Sequence, residues 1–358
     1  MQASLKLVLE PIFEADFAPS SYGFRPRRRA QDAIAEIFYF ASPSRSYEWV
    51  FEADIAACFD EISHSALLGR ARARIGDKRV LALVSAFLRA GILSEDGHNR
   101  GTITGTPQGG ILSPLLANIA LSGLDEHFAR KWAALGSAWT RAKRRRAGVP
   151  AMRLVRYADD FVVMVAGTRD DAEALRDEVA GVLAPMGLRL SEAKTRVVHI
   201  DEGFDFLGFR IQRRAWQGRA GRRAVYTYPS KKALASVMEK VRTLTRREKH
   251  RTLADLLRRL NPVLRGWCSY FRHGVSSRTF GYLDHFAFWR IMGWLRRRHP
   301  KLNWGTLHRR FLPGWEVRDG GIELFRPCTV PIIRYRYRGT RIPTPWASAA
   351  TGSPAPAV

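Results

Sequence analysis

The sequence predicts an α+β fold for the N-terminal part of the chain and a helical fold for most of the remainder. Up to residue 211, short apolar runs typical of strands alternate with helical periodicity, and two of these runs flank an Asp-Asp pair. After residue 229 the apolar spacing is helical. The charge changes at the same place: residues 1–209 hold 27 Lys+Arg and 26 Asp+Glu, but residues 210–346 hold 32 and 7.

Composition excludes several classes of protein. The chain has 358 residues, of which 46% are hydrophobic, so it can build a core and is not intrinsically disordered. Three distant cysteines do not make a disulfide scaffold, and we expect neither a membrane span nor a secretory signal. We therefore expect a cytoplasmic protein. The net charge of +26 predicts a polyanionic partner, with nucleic acid first.

The elements of the N-terminal part follow from periodicity and turn residues. Helical spacing covers five segments, strand-like composition covers five, and residues 101–110 are rich in Gly, Thr and Pro and predict a loop. Residues 141–150 predict a basic surface loop. The predicted helices are 27–40, 64–75, 77–90, 111–130 and, with Asp and Glu near its start, 170–186. The predicted strands are 48–55, 152–157, 161–167, 196–200 and 204–211.

Three helices are predicted in the C-terminal part. Residues 230–247 begin with a Ser that can cap the helix, and residues 252–271 contain Pro262, where we expect a kink or break. The third helix spans residues 280–298. Trp267, Trp289 and Trp294 have helical apolar neighbours and are predicted to lie in the core.

Three carboxylates stand where acids are costly. Asp54 ends an apolar strand, and Asp159 and Asp160 are adjacent between two apolar strands. Adjacent carboxylates near a core raise each other's pKa unless a cation neutralises them, and Mg²⁺ accepts one or two protein carboxylates plus substrate phosphates. Two such ions can activate an attacking oxygen and stabilise a leaving one, which suggests nucleotidyl transfer. Taken alone, the pair of Asp159 and Asp160 is more typical of a solvated turn than of a metal site.

The motifs around these acids, read in order, resemble those of a known family. They are FEADIAACFDEISH (51–64), GTPQGGILSPLLANI (105–119), RYADDFVVM (156–164), SEAKTRVV (191–198) and FDFLGF (204–209), preceded by SYGFRPRRRAQDAI (21–34) and followed by NPVLRGWCSYF (261–271). This series is similar to group II intron-encoded reverse transcriptases with a maturase domain. The resemblance implies a right-hand polymerase palm with partial fingers, followed by an α-helical thumb, the maturase domain X.

The resemblance also implies roles for single residues. Asp54 and Asp159 bind two Mg²⁺ ions and Asp160 supports one of them. The implied nucleotide-binding set is the carbonyl of Ile55, the sugar-facing ring of Phe59, Gln108, Lys194 near the leaving pyrophosphate, and Arg25. From the residues alone, Phe59 is also compatible with an ordinary core Phe and Lys194 with a surface Lys.

The basic C-terminal part is predicted to bind RNA through phosphate contacts. The candidate residues are Arg265, Arg272, Arg296, Arg297 and Arg298. The predicted domains are a palm with partial fingers (1–211), a basic linker (212–229), a helical thumb or domain X (230–320), a basic C-terminal extension (321–346) and a disordered tail (347–358).

The predicted function is RNA-directed DNA polymerase and group II intron maturase. Its partners are group II intron RNA, an RNA template with a DNA primer, and dNTPs; a missing N-terminal fingers fragment or a homodimer is left open. The sequence begins after the position at which members of this family carry the fingertip motif, so we expect an N-terminally truncated chain. We also expect no endonuclease domain. The alternatives are a non-catalytic RNA-binding splicing maturase on a polymerase scaffold and another type of reverse transcriptase.

Overall fold

The computed structural model describes residues 1–89, 104–106, 110–216, 221–246 and 252–346, and the backbone alone at 92–93 and 99–100. The chain divides into two compact units. The first unit comprises Met1–Glu202 and the chain from Tyr337 onward, and the second unit comprises Gly203–Arg336. Gln108 and the predicted tail 347–358 lie outside the described residues. No described helix is long and apolar enough to cross a membrane.

The first unit contains helices packed on a four-stranded antiparallel sheet. The strands are β1 (Trp49–Ala53), β4 (Ala151–Tyr157), β5 (Asp160–Ala166) and β6 (Arg196–His199), in the order β4-β5-β1-β6, and a separate pair is formed by β2 (Ile92–Leu93) and β3 (Asn99–Arg100). The helices are α1 (Gln2–Glu14), α2 (Ala30–Ala41), α3 (Cys58–Glu61), α4 (His64–Arg72), α5 (Lys78–Arg89), α6 (Ser113–Ala134), α7 (Ala138–Arg146), α8 (Arg169–Glu173) and α9 (Leu175–Leu183).

The core of the first unit lies between this sheet and its helices. Strand β5 is buried from Phe161 to Ala166, as expected of a central strand covered on both faces. Helix α6 contributes a long buried face, and Leu115, Leu124 and Phe128 join the same apolar cluster as Phe161 and Val163. The helices thereby fix the position of the sheet. Polar groups follow at the end of the sheet where Ala53 pairs with Phe161.

Two elements of the first unit differ from the sequence prediction. Residues 141–150 were predicted as a basic loop, but Ala138–Arg146 form helix α7, whose N-cap Ser137 accepts a hydrogen bond from the Thr140 N–H at 3.2 Å. Helix α1 was not predicted; it contains Pro11 and has no side-chain cap at its start, so its sequence carries few helix signals.

A C-terminal segment docks on helix α2 within the first unit. The ring of Tyr337 stacks on Tyr39 with centroids 4.7 Å apart. Arg338 donates two hydrogen bonds, at 2.8 and 2.6 Å, to the carboxylate of Asp32, which is 2% exposed. Because a buried carboxylate needs a partner, this segment belongs to the first unit's structure.

The second unit combines a three-stranded sheet with a helical bundle. The strands β7 (Phe204–Phe206), β8 (Phe209–Ala215) and β9 (Arg223–Pro229) form an antiparallel meander. The helices are α10 (Lys231–Arg246), α11 (Leu253–Phe271), α12 (Ser277–Arg298) and α13 (Trp304–Phe311), and a small hairpin is formed by β10 (Arg318–Asp319) and β11 (Ile322–Glu323). Leucines of α11 form the centre of the helical core.

Three expectations for the second unit are corrected. Residues 212–229, predicted as a basic linker, contain the end of β8 and all of β9. Helix α11 runs through Pro262 without a break, because a segment of 19 residues with an apolar face buried in the core tolerates one lost backbone bond. Trp289, predicted to lie in the core, is 56% exposed, whereas Trp294 is buried.

Candidate active site

The three predicted carboxylates meet at one end of the first unit's sheet. In the antiparallel register Ala53 faces Phe161, so the next residues along the two strands are Asp54 and Asp160. Asp159 precedes Asp160 in the β4–β5 turn, where Tyr157 pairs with Asp160. The fold therefore brings together acids that lie more than a hundred residues apart in the chain.

The turn that carries Asp159 is tightly constrained. Ala158 has a left-handed backbone with φ of 59°. Gly23 lies against this turn: a Cβ added to Gly23 would be 2.2 Å from the backbone nitrogen of Ala158. Only glycine allows such an approach, so the motif at residues 21–34 is a wall of the turn.

A buried arginine, Arg156, forms a hydrogen bond to the same turn. Arg156 is fully buried, and its guanidinium donates to Asp125 at 2.9 Å, to the amide oxygen of Asn118 at 3.0 Å and to the carbonyl of Ala158 at 2.8 Å. It also donates to the Ser21 hydroxyl at 2.7 Å. Arg156 thus links strand β4, helix α6 and the wall of the turn.

Sequence reasoning did not identify Arg156 or Asp125 as site residues. The signal was present, since an Arg inside the apolar run MRLVRY and an Asp inside the apolar helix ILSPLLANIALSGLDEHF are each costly unless paired. Their partnership needs the fold, because 31 residues separate them.

The carboxylates carry unbalanced charge. Burial is the main cause of a raised pKa at Asp159, the charge of Asp54 raises it further, and a backbone hydrogen bond, Lys194 and Arg156 oppose the rise. Lys194 donates from Nζ to the carboxylate of Asp54. This hydrogen bond is the main cause of the raised pKa of Lys194. The ammonium group of Lys194 therefore neutralises part of the acidic end of the sheet.

The donor set fits a hard divalent cation in chemistry. It consists of carboxylate oxygens, and the raised pKa of Asp159 reflects a charge that a cation would stabilise. However, no three His, Cys, Asp or Glu side chains within the described ranges already stand close enough to hold a metal ion. A metal at Asp54 would have to share that carboxylate with Lys194 or displace it.

The predicted nucleotide-binding residues are only partly gathered. Ile55 is 2% exposed and forms an isolated β-bridge with Leu190, next to Asp54. Phe59 is half-buried and packs against the core, so it has both a core contact and an accessible part. The adjacent segment 104–106 is held by Phe59, whose carbonyl accepts from the Thr106 N–H at 2.5 Å, and by His64, whose Nε2 is 2.6 Å from the Gly105 carbonyl oxygen.

The structure contradicts the assignment of Arg25 to the nucleotide site. Arg25 is 6% exposed, and its guanidinium donates to both carboxylate oxygens of Glu14 at 2.8 Å. The remaining donors bind the carbonyls of Phe17, Ala18 and Ser21. Because every donor of this side chain has a partner within the protein, none is left for a triphosphate.

The predicted RNA-binding arginines of the second unit differ in accessibility. Arg265 is exposed and lies over the ring of Phe325, and Arg296 is exposed and lies over Trp304. Arg297 donates to the carbonyl of Thr245 at 3.0 Å, and Arg298 is exposed. Arg272 is half-buried, and its Nε is buried without a hydrogen-bond partner.

Comparison with protein families identifies the class. Residues 1–211 match the family "Reverse transcriptase (RNA-dependent DNA polymerase)". The chain belongs to the reverse transcriptase family. Residues 234–312 match the "Group II intron, maturase-specific domain", so the predicted combination of an α+β reverse transcriptase domain and a maturase region is confirmed.

The chain is also similar to individual proteins. Protein YkfC of Escherichia coli (strain K12) is 36% identical over 252 residues, 65% of this chain and 65% of its own length. The group II intron-encoded protein LtrA of Lactococcus lactis subsp. cremoris is 29% identical over 355 residues, 80% of this chain and 58% of its own length. The chain thus spans less than two thirds of either relative.

Solved structures give a weaker likeness. A telomerase from Candida albicans, in complex with a fragment of telomeric RNA, has a TM-score of 0.46 and 12% identity over 82% of this chain and 51% of its own. This likeness is too weak to carry a conclusion about fold or function.

Proposed function

We propose that the chain is an RNA-directed DNA polymerase and a group II intron maturase. The observation that carries the polymerase proposal is the meeting of Asp54, Asp159 and Asp160 at one end of the sheet, within a segment that matches the reverse transcriptase family. The maturase-specific domain at residues 234–312 supports the second role, in which the protein binds its intron RNA and stabilises the fold that splices.

Reverse transcriptases are nucleotidyltransferases that use divalent metal ions, and here we propose Mg²⁺. Asp54 and Asp159 would hold two ions and Asp160 would support one; such ions stabilise the attacking and leaving oxygens of a displacement. The protein's contribution is placement: the turn carrying Asp159 is fixed by Arg156 and walled by Gly23. Rigid placement of the ligands is what this chemistry requires.

The other residues of the nucleotide site keep their proposed roles, except Arg25. The accessible part of the Phe59 ring would lie beneath the sugar and exclude a 2′-hydroxyl, so that dNTPs are selected. Lys194, whose side chain is 68% exposed, would leave Asp54 and approach the pyrophosphate. Ile55 would contribute its carbonyl, and Gln108 would line the pocket.

RNA binding is proposed for the second unit. Exposed Arg265, Arg296, Arg297 and Arg298 would contact phosphates. Tyr282, His285 and Trp289 lie on an exposed face of α12, and their rings could stack on unpaired bases. Half-buried Arg272 is the weakest candidate of the set.

The proposed partners are group II intron RNA, an RNA template with a DNA primer, and dNTPs, with a fingers fragment or a second copy left open. We keep residues 1–211 as the palm, 230–320 as the thumb and 321–346 as the basic extension. The cytoplasmic setting stays a proposal from composition.

The test is primer extension on poly(rA)/oligo(dT) with Mg²⁺ and dTTP. The wild-type chain should extend the primer, and the double variant Asp159→Asn, Asp160→Asn should not, because it lacks two of the three carboxylates. Binding of the same template should be retained by the variant. Extension by the variant would contradict the assignment of the metal site.

A second candidate function is a splicing maturase without polymerase activity. The observation that favours it is the ion pair between Lys194 and Asp54, which occupies a proposed metal ligand. It predicts intron RNA binding by a folded chain that extends no primer at any Mg²⁺ concentration. Extension that becomes faster in Lys194→Ala would instead show that this ion pair competes with the metal.

A further inference from the structure

Four arginine side chains converge between helices α10 and α12 of the second unit. Arg242 and Arg246 lie one turn apart on α10, on either side of Thr245. From α12, Arg290 donates from Nε to the Thr245 hydroxyl at 3.1 Å, and Arg297 donates to the Thr245 carbonyl at 3.0 Å. Thr245 itself is fully buried, and it accepts hydrogen bonds from both arginines of α12.

The positive charge of this cluster is not balanced in the described part of the chain. Glu239, which pairs with Arg242 at 3.0 Å, is the one carboxylate found with the four guanidinium groups there. Burial lowers the pKa of Arg290, and the charges of Arg246, Arg297 and Arg242 lower it further.

One donor of the cluster has no partner. Nη2 of Arg290 is buried and makes no hydrogen bond. An unpaired donor on a charged group costs more than one on a neutral group, and burial among like charges adds to that cost. The guanidinium of Arg297 lies close to the backbone of Gly293, since a Cβ added there would lie 3.4 Å from Nη1 of Arg297.

We propose that Arg242, Arg246, Arg290 and Arg297 form a phosphate-binding site that takes a backbone phosphate of RNA. Planar guanidinium groups suit phosphate because they bind two of its oxygens at once. The choice of RNA as the source of the phosphate rests on the proposed function; the anion site itself rests on the unpaired donor and the unbalanced charge. The ordinary reading, in which these arginines only pack the two helices, makes a different prediction about stability.

The first experiment uses inorganic phosphate as the probe. The thermal midpoint of the full chain is compared in sodium phosphate and in sodium chloride of equal ionic strength, for wild type and for Arg290→Met. Phosphate should raise the midpoint of the wild type, and this rise should be lost in the variant. Without phosphate, Arg290→Met should be at least as stable as wild type, because it removes a repelled charge; a large loss of stability would overturn the proposal in favour of helix packing.

The second experiment measures binding of a fluorescein-labelled RNA duplex as a function of KCl concentration. Arg290→Met should weaken binding about tenfold. It should also make the fall of log Kobs with log[KCl] less steep by about one, as expected for one lost phosphate contact. The control is Arg259→Met, which removes an exposed Arg of α11 with the same change in net charge. Equal affinity in Arg290→Met and Arg259→Met would overturn the site.

The two experiments separate this inference from the proposed function. A wild-type chain that binds no RNA would contradict the maturase proposal, while a phosphate shift lost in Arg290→Met would still establish the anion site. RNA binding without any phosphate shift, and with no loss in Arg290→Met, would leave the function standing and remove the site.

Discussion

The two units use arginine in opposite ways. In the first unit, buried arginines pair with buried carboxylates: Arg156 with Asp125, Arg25 with Glu14, and Arg153 with Glu36. In the second unit, Arg265 lies on an aromatic ring and Arg290 and Arg297 lie beside other arginines. Pairing fixes the position of a strand or turn, whereas unbalanced charge keeps donors available for a polyanion.

This difference accounts for the charge distribution along the sequence. The first unit needs acids both at the end of its sheet and as partners for its arginines, so its charges nearly cancel. The second unit has few acids, which fits the proposal that its arginines bind an external polyanion. The free energy of an ion pair should therefore depend strongly on the unit and on burial.

The largest expected effect is at the buried pair Arg156–Asp125. Asp125→Leu should lower the free energy of unfolding by about 3–5 kcal/mol, because it leaves a buried guanidinium without its carboxylate. The double variant Arg156→Met, Asp125→Leu should recover most of this loss. Urea unfolding measures both, and a single variant within about 1 kcal/mol of wild type would contradict the role of the pair.

The next effect concerns catalysis. Gly23→Ala places a methyl group against the backbone of Ala158, so the turn carrying Asp159 must move. A misplacement of about 1 Å at a catalytic group can cost about a hundredfold in rate. Primer extension should fall accordingly while RNA binding is unchanged. Gly76→Ala, with open space around the added Cβ, is the matched control, and equal activity of both variants would refute the close approach.

A smaller effect should appear with pH at Glu178. Burial raises the pKa of this carboxyl, but bonds from His127 and Lys131 outweigh burial, so the pKa is below its usual value of 4.5. Because the folded pKa is the lower one, the stabilisation is present above pH 4.5 and is lost as the pH falls through the folded value. Glu178→Gln should cost about 1 kcal/mol at pH 7, and a difference that does not shrink as the pH is lowered below 4.5 would contradict this sign.

The smallest effect is expected for an exposed pair in the second unit. Arg258 and Asp255 are 2.8 Å apart, with side chains 60% and 40% exposed. Arg258→Gln should leave the free energy of unfolding unchanged within the error of a urea titration, since solvent screens the pair. A loss as large as that of Glu178→Gln would remove the contrast between the two units.

The elements at the end of the sheet could be predicted from the sequence because their signals are local. The hairpin β4–β5 shows two apolar runs on either side of a two-residue turn, and Asp54 directly follows strand β1. The register then brings the three acids together. Gln108 stays a prediction, because it lies outside the described residues.

Other features depend on contacts that a local pattern does not contain. The prediction that Arg25 binds the nucleotide was wrong because its partner, Glu14, lies on helix α1, and the sequence of α1 carries few helix signals. The exposure of Trp289 was missed because α12 is apolar on more than one face, and Leu283, Ala287 and Ile291 occupy the face that meets the core. Which face of such a helix is buried depends on its neighbours rather than on its own periodicity.

The docking of Tyr337 and Arg338 on helix α2 has a genetic consequence. The second unit lies in the chain between two parts of the first, so a frameshift or stop codon anywhere in residues 203–336 also removes the partners of Asp32 and Tyr39. Such a lesion would leave the buried carboxylate of Asp32 with its backbone hydrogen bond from Arg29 but without the two bonds from Arg338. The mutational target for loss of the first unit's stability is therefore longer than that unit's own share of the gene.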